Sequence, residues 1–428
     1  MYKRAVETIL LCTVAILYAA NAGADSTSAH HLVVDQGEYA EARDRVHTHV
    51  FKESMPHLSF RDDLLKKGRS EHDHIHEVMF AVQPRNMDEL TRILHDVSDP
   101  YSENYGKHLK KEEMHNLISN PEACAEVTSY LHASGAISLT ETPNGEYISA
   151  SAPIAVWEKF FNTEFFVFQQ THLNGVTHEV VRAEHYSVPI EIHRHVNAVL
   201  NTVEMPVLTH LRPKNIPNDL KLSRDRKLVD QVVPGMIDPN WLRQYYNMSD
   251  SHGSSLSTQA VFSIGNYFFS QDDLADFQEY VTLQKTQPAI SIGNHSTTDR
   301  VNDDCAEGNL DLQYIMTLSP ISPTTFWHVD TSIGEWLRTV ASAKNIPLVL
   351  SISFGSYEYQ TTKGELDLFQ AMAIRLGSIG VTVLAAAGDD GAAAKDVSTW
   401  TECRYLAMFP ASCPYIVSVG ATMVIIHT

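Results

Sequence analysis

Past its first two dozen residues, this 428-residue sequence has no apolar run long enough to cross a bilayer as a helix. It is poor in cysteine, with only Cys12, Cys124, Cys305, Cys403 and Cys413, and so is no disulfide scaffold. Positive charge is also short: 32 Lys and Arg face 52 Asp and Glu, a formal net charge of −20. A chain of that sign is not built to hold nucleic acid or an anionic membrane surface. Nor does it lack apolar residues, since 43% apolar and 20% charged residues exclude a disordered chain. The length suffices for two or three domains, each with its own core.

Histidine is what the chain has in quantity. Protonating all 22 would move the formal charge from −20 to about +2, so an acidic compartment would change its charge state greatly. Only His252, His295, His328 and His427 lie beyond residue 213. The start, MYKRAVETILLCTVAILYAANAGADS, has a basic end, an apolar run from Ile9 to Ala20 and Ala-x-Ala sites ending at Ala22 and Ala24. This is the pattern of a secretory signal peptide over residues 1–24. Asn247-Met248-Ser249 and Asn294-His295-Ser296 are sequons, making Asn247 and Asn294 candidate glycosylation sites on that route. Of the four cysteines left after the leader, Cys403 and Cys413 are near enough in sequence to bridge, subject to their Cα separation.

Two regions differ in kind. Residues 25–213 mix strand-like runs (VMFAVQP, EYISASA, FFVFQQ) with helical ones (DELTRILHDV, PEACAEVTSYLHASG, PIAVWEKFFN), an α+β pattern. Residues 214–235 are polar and carry a basic cluster around Arg224, Arg226 and Lys227, which reads as an exposed linker and cleavage region. From 236 to 428 strands and helices alternate. The run QAVFSIGNYF precedes the helix SQDDLADFQEYVTLQ with Ser270 as N-cap, and IPLVLSISFG precedes ELDLFQAMAIRLGSIG and VTVLAAAGDDG. Apolar runs without alternation are what parallel strands covered on both faces look like, so a doubly wound α/β sheet is predicted. Ligands in such sheets gather at the carboxyl ends of the strands.

One helix poses a problem. In AEGNLDLQYIM, residues 306–316, Glu307 and Asp311 are four apart and share a face with Leu310, Tyr314 and Ile315. Like charges at that spacing repel by roughly 0.2–0.5 kcal/mol even in water. Asp389 stands where VTVLAAAGDDG runs out between Gly388 and Gly391, a place for a site or, taken alone, for a turn aspartate.

Taken together these pieces resemble the sedolisin (serine-carboxyl) peptidases, in the branch of tripeptidyl-peptidase I. DVSDPYSENYGKHL (96–109) resembles the family's activation-peptide signature, and AEGNLDLQYIM its Glu-x-x-x-Asp helix. SISFGSYE, LAAAGDDGA and MFPASCPYIVSVGAT resemble later blocks in the same order, so the likeness runs from about residue 50 to 422. The resemblance implies a subtilisin-like sheet, here incomplete, behind an α+β activation propeptide that acts as an intramolecular inhibitor. It implies Glu307 as general base to a serine, Asp311 as its orienting partner and Asp389 as a proton-bearing acid at the oxyanion. A carboxylate base suits acid conditions, where histidine is already protonated. Peptide or protein substrates, tripeptide release from free N-termini, and a lysosome or other acidic compartment are implied in the same way.

The likeness has gaps. The family's Gly-Thr-Ser-Ala-Ser nucleophile segment and its calcium-binding loop are not found in this sequence, so no nucleophile, metal ligand or calcium site is assigned, although calcium is expected for a complete member. As written, the chain is expected to be inactive, and its sheet to expose apolar surface that a complete domain buries. A non-enzymatic alternative follows: an inactive splice form or regulator that binds peptides or a related active peptidase. A subtilisin-type triad would need a histidine, and SHGSS around His252 has no helix pattern after it. In HDHIHE, period two would place His72, His74 and His76 on one strand face, suggesting a pH-sensing strand or a metal site.

Overall fold

The computed structural model describes residues 48–56, 63–171, 177–205, 237–248, 252–265, 267–281, 288, 290–293, 305–329, 331–389, 391, 393–394 and 404–421. The leader at 1–24, the linker at 214–235, Asn294 and Cys403 lie outside them.

Residues 48–205 build an α+β layer from β1 (His49–Ser54), β2 (Leu64–Arg69), β3 (Ile75–Val82), α1 (Met87–Ser98), α2 (Lys111–Ile118), α3 (Pro121–Ala133), β4 (Ser138–Glu141), β5 (Tyr147–Pro153), α4 (Ile154–Phe161), β6 (Phe165–Thr171), β7 (Thr177–Ala183), β8 (His185–Pro189) and β9 (Val196–Leu200). The main sheet has the order β4-β5-β3-β9, all antiparallel. Strict alternation sorts its side chains. Val78, Phe80, Ile148 and Ala150 enter a core with Trp157, Phe161 and Tyr186, whereas Ala81, Tyr147, Ala198 and Leu200 join a second core made by the rest of the chain. An antiparallel sheet usually leaves one face to water; here both are covered.

The second half contributes α5 (Pro239–Tyr245), β10 (Gln259–Ile264), α6 (Gln271–Tyr280), β11 (Ile290–Ile292), α7 (Cys305–Leu318), β12 (Thr324–Val329), α8 (Ile333–Ser342), β13 (Val349–Ile352), β14 (Ser356–Tyr357), α9 (Lys363–Ser378), β15 (Thr382–Ala386), β16 (Ala393–Ala394), β17 (Arg404–Tyr405), β18 (Met408–Phe409) and β19 (Val417–Val419). Six of these strands form one sheet in the order β11-β12-β10-β13-β15-β19, every pair parallel. Every residue of β10 is buried because helices cover both faces. Phe262 packs with Trp336 and Leu337 of α8 and Phe369 of α9, while Val261 packs opposite with Leu274 of α6 and Leu312 and Met316 of α7. A phenylalanine buried this way stabilises by about 1.5–3 kcal/mol. The doubly wound sheet read from the sequence is therefore present, and the order reverses direction at β10. At the far edge, Val417 and Val419 of β19 are exposed.

The two halves meet through α9. Beyond the shared core, Leu90 and Leu94 of α1 and Met114 and Ile118 of α2 enclose Ile374, and a Cβ on Gly377 would come within 2.7 Å of Leu94 Cδ1. Glu53 of β1 accepts a 2.8 Å bond from the Gly364 N–H in the first turn of α9 and a 2.9 Å bond from the Tyr186 hydroxyl. A carboxylate from the first half thus caps a helix of the second.

The histidine strand differs from expectation. β3 begins at Ile75, so His72 and His74 fall in the preceding turn and are exposed, and only His76 is a strand residue. Its Nε2 donates to the Asn201 carbonyl at 2.8 Å, and burial pushes its pKa down to about 4. A neutral, buried imidazole is no sensor near neutral pH, and the described residues contain no group of three or more His, Cys, Asp or Glu that could hold a metal.

Candidate active site

The helix α7 reaches its place by two local devices. Gly308 lies against the backbone of Phe268, so that any Cβ there would collide with the Phe268 carbonyl oxygen. Asn309 accepts from the Ser270 N–H at 2.7 Å and donates to Asp273 at 3.0 Å, tying α7 to the N-terminus of α6. Ser270 caps α6 by accepting from the Asp273 N–H, as its sequence position indicated. The chain between β10 and α6 thereby holds α7 beside the end of β10, where the sheet order reverses. In open α/β sheets that crevice is where ligands bind.

Glu307 and Asp311 are both part-buried on this helix, one turn apart, next to the buried stripe Gly308, Leu312 and Met316. The apolar arc is less closed than the sequence suggested, because Leu310 is half exposed. Asp311 Oδ1 accepts a 2.7 Å hydrogen bond from Ser353 Oγ. Its Oδ2 is shut from water and has no hydrogen-bond partner among the described residues, although part of the residue stays accessible. Burial, reinforced by the charge of Glu307 and opposed by the Ser353 hydroxyl, pushes the Asp311 pKa up to about 8. At acid pH this carboxyl is therefore protonated beside Glu307, which answers the puzzle of two acids on one face: they need not both be charged.

Ser353 is the residue directly after β13, and β13 pairs in parallel with β15 in the register Ile352 to Ala385. Asp389 follows β15 by three residues and is exposed, beyond Gly388 in the left-handed conformation with φ 98°. Asp311, through Ser353, and Asp389 thus stand at the same carboxyl edge on neighbouring strands. Sequence reading named the SISFGSYEYQ strand end but did not single out Ser353, because a serine after an apolar strand carries no signal of its partner.

The remaining candidates lie apart. Asn247 is exposed just after α5, accessible to a glycan, while Cys124 and Cys413 are free thiols. No calcium ligand is assigned among the described residues, and no step below runs through one.

An α+β layer is thus docked on a parallel α/β domain, with paired acids at the switch point. Residues 62–205 match the model of the pro-kumamolisin activation domain. The chain is 28% identical over 395 residues to physarolisin of Physarum polycephalum, covering 87% of this chain and 64% of that protein. It is 26% identical over 371 residues to tripeptidyl-peptidase 1 of Pan troglodytes, covering 83% of this chain and 63% of that protein. Among solved structures, a Pseudomonas sedolisin complexed with pseudo-iodotyrostatin matches at 18% identity and a TM-score of 0.35, over 42% of this chain and 52% of that one, too slight a likeness to add to the fold argument. The chain is thus similar over most of its length to physarolisin and to a tripeptidyl-peptidase, and over residues 62–205 to the pro-kumamolisin activation domain. It spans just under two thirds of the length of the curated relatives it matches.

Proposed function

We propose that the chain is part of an acid serine-carboxyl peptidase in which Glu307 is the general base, Asp311 orients it and Asp389 stabilises the oxyanion. The observation that carries this reading is the Asp311–Ser353 bond, which ties the acid pair to the carboxyl end of β13, beside the strand that leads to Asp389. In this mechanism a serine hydroxyl attacks the scissile carbonyl carbon as Glu307 takes its proton. The carbonyl electrons move to oxygen, where a protonated Asp389 donates a hydrogen bond. Glu307 then returns the proton to the leaving amine, and water releases the acyl group by the reverse sequence. No residue of this chain is assigned as the serine.

The substrate reading is a peptide with a free N-terminus, cut to release a tripeptide, and its support is the naming of relatives as tripeptidyl-peptidases. Acid working conditions, in a lysosome or on the secretory route, fit three acids whose pKa is lifted by loss of contact with water: Asp311 to about 8, and Glu204 and Glu365 to about 7. Residues 48–205 act as the intramolecular inhibitor in this scheme, held on α9 until the 214–235 segment is cut.

The test is an acid-pH assay of the native protein on peptides with free and acetylated N-termini. N-terminal tripeptides should appear from the free peptides only, and Glu307→Gln should lower kcat/KM by about 10²–10⁴-fold. Peptide binding without cleavage, unaffected by Glu307→Gln, would favour the non-catalytic alternative.

A further inference from the structure

The acid pair rests on a residue outside it. Asp311 is a helix residue, and a helix side chain is free to choose among rotamers unless something holds it. Here the holder is Ser353, at the end of β13, a central strand hydrogen-bonded on both sides by β10 and β15. The bond therefore joins an internal strand of the sheet to the helix that bears the acid pair. It also distinguishes the two oxygens of one carboxyl. Oδ1 is occupied as the acceptor of the Ser353 O–H, while Oδ2 is sealed from water with no partner among the described residues. When Asp311 holds a proton, the oxygen left to carry it is Oδ2.

We propose that Ser353 is a positioning residue of the acid pair: its hydroxyl fixes the Asp311 rotamer and reserves Oδ1 as acceptor, so that the proton of Asp311 resides on Oδ2. An Asp311 that keeps its proton leaves Glu307 as the charged member of the pair, the form that can accept a proton. Glu307 on the same helix is the charged group acting on Asp311, and the Ser353 hydroxyl is the neutral group opposing it. The catalytic consequence rests on the peptidase reading above, but the hydrogen-bond assignment does not.

The two are separated by measuring them independently in the full chain. ¹³C-carboxyl NMR follows the aspartate resonance that Asp311→Asn removes, titrated in the wild type, Ser353→Ala and Ser353→Thr. A hydrogen bond to an ionised group is worth about 1.5–3 kcal/mol, so its loss should raise the apparent midpoint by roughly one to two pH units. Ser353→Thr, which keeps the hydroxyl, should restore the midpoint and guards against a change that merely unfolds the site. In the acid assay Ser353→Ala should lower kcat with little change in KM, and Ser353→Thr should recover most of it. An unchanged midpoint in Ser353→Ala, or complete loss of turnover in both variants with the midpoint unmoved, would overturn the proposal. A shifted midpoint in a chain whose Glu307→Gln variant is as active as the wild type would leave the positioning bond standing and remove the peptidase reading instead.

Discussion

Arg375, buried on α9, donates from Nη1 to Glu146 Oε2 at 2.9 Å, while the other Glu146 oxygen lies 3.1 Å from His115 Nδ1. One carboxylate of the first half therefore meets a guanidinium from the second half and an imidazole from its own. Burial alone would raise the Glu146 pKa, but the His115 hydrogen bond and the Arg375 charge outweigh it and hold it below the ordinary 4.5. A depressed carboxylate contributes stability that is present above the ordinary value and is lost as pH falls through the lowered one. This ion pair is thus one that acid weakens.

Glu146→Gln is expected to leave the Arg375 charge without its counter-ion, and breaking a buried pair from one side costs about 3–5 kcal/mol. Thermal unfolding should show a lower Tm, and the separated first half should leave the second more readily at neutral pH. Equal retention of the first half by wild type and variant would contradict the assignment.

Glu365 behaves oppositely. Its Oε1 accepts from the Gly334 N–H at 2.7 Å and its Oε2 from the Ser332 hydroxyl at 2.8 Å, capping α8 from inside the core, and burial lifts its pKa to about 7. A raised carboxyl means the folded state binds the extra proton, so stability is greatest below the ordinary 4.5 and falls as pH rises toward 7. Glu365→Gln, which keeps an acceptor for Gly334, should flatten the fall of Tm between pH 4.5 and 7. A variant whose Tm still declines as steeply would show that other groups set the slope.

Gly308→Ala should be damaging out of proportion to one methyl. The added carbon meets a main-chain oxygen, so α7 itself must shift, and overpacking of this kind costs about 1–3 kcal/mol. Because Glu307 and Asp311 ride on that helix, activity should fall further than stability. Urea unfolding alongside the acid assay tests both; a stable variant with full activity would contradict the close approach.

Asp389→Ala should lower kcat by about 10²–10³-fold with a smaller effect on KM, as removal of an oxyanion donor does. Asp389→Asn should retain more activity than Ala, since an amide N–H also donates. Equal loss in both, or a change confined to KM, would argue for a role in binding rather than in the oxyanion.

Legibility varied by element. The second half was readable because uninterrupted apolar strands such as QAVFSI report burial on both faces, and a serine before an acidic turn marks a helix start. His72, His74 and His76 alternate in the sequence yet share no strand face, because the strand begins only at Ile75. Glu53, Glu146 and Glu365 gave no sequence signal at all. An acid in a polar stretch looks solvated until a distant N–H or guanidinium is brought against it, and Gly364 and Arg375, which meet Glu53 and Glu146 from α9, lie hundreds of residues away.

Local chemistry therefore dictated the elements themselves, the parallel character of the sheet and the identity of the paired acids, since periodicity and spacing are properties of neighbours along the chain. Long-range folding alone could choose Ser353 as the partner of Asp311 and Arg375 as the partner of Glu146, and set the ends of β13 and β15, with Ser353 and Asp389, side by side. Those choices set which carboxyl keeps its proton, because charge in a protein responds to what is near in space rather than in sequence.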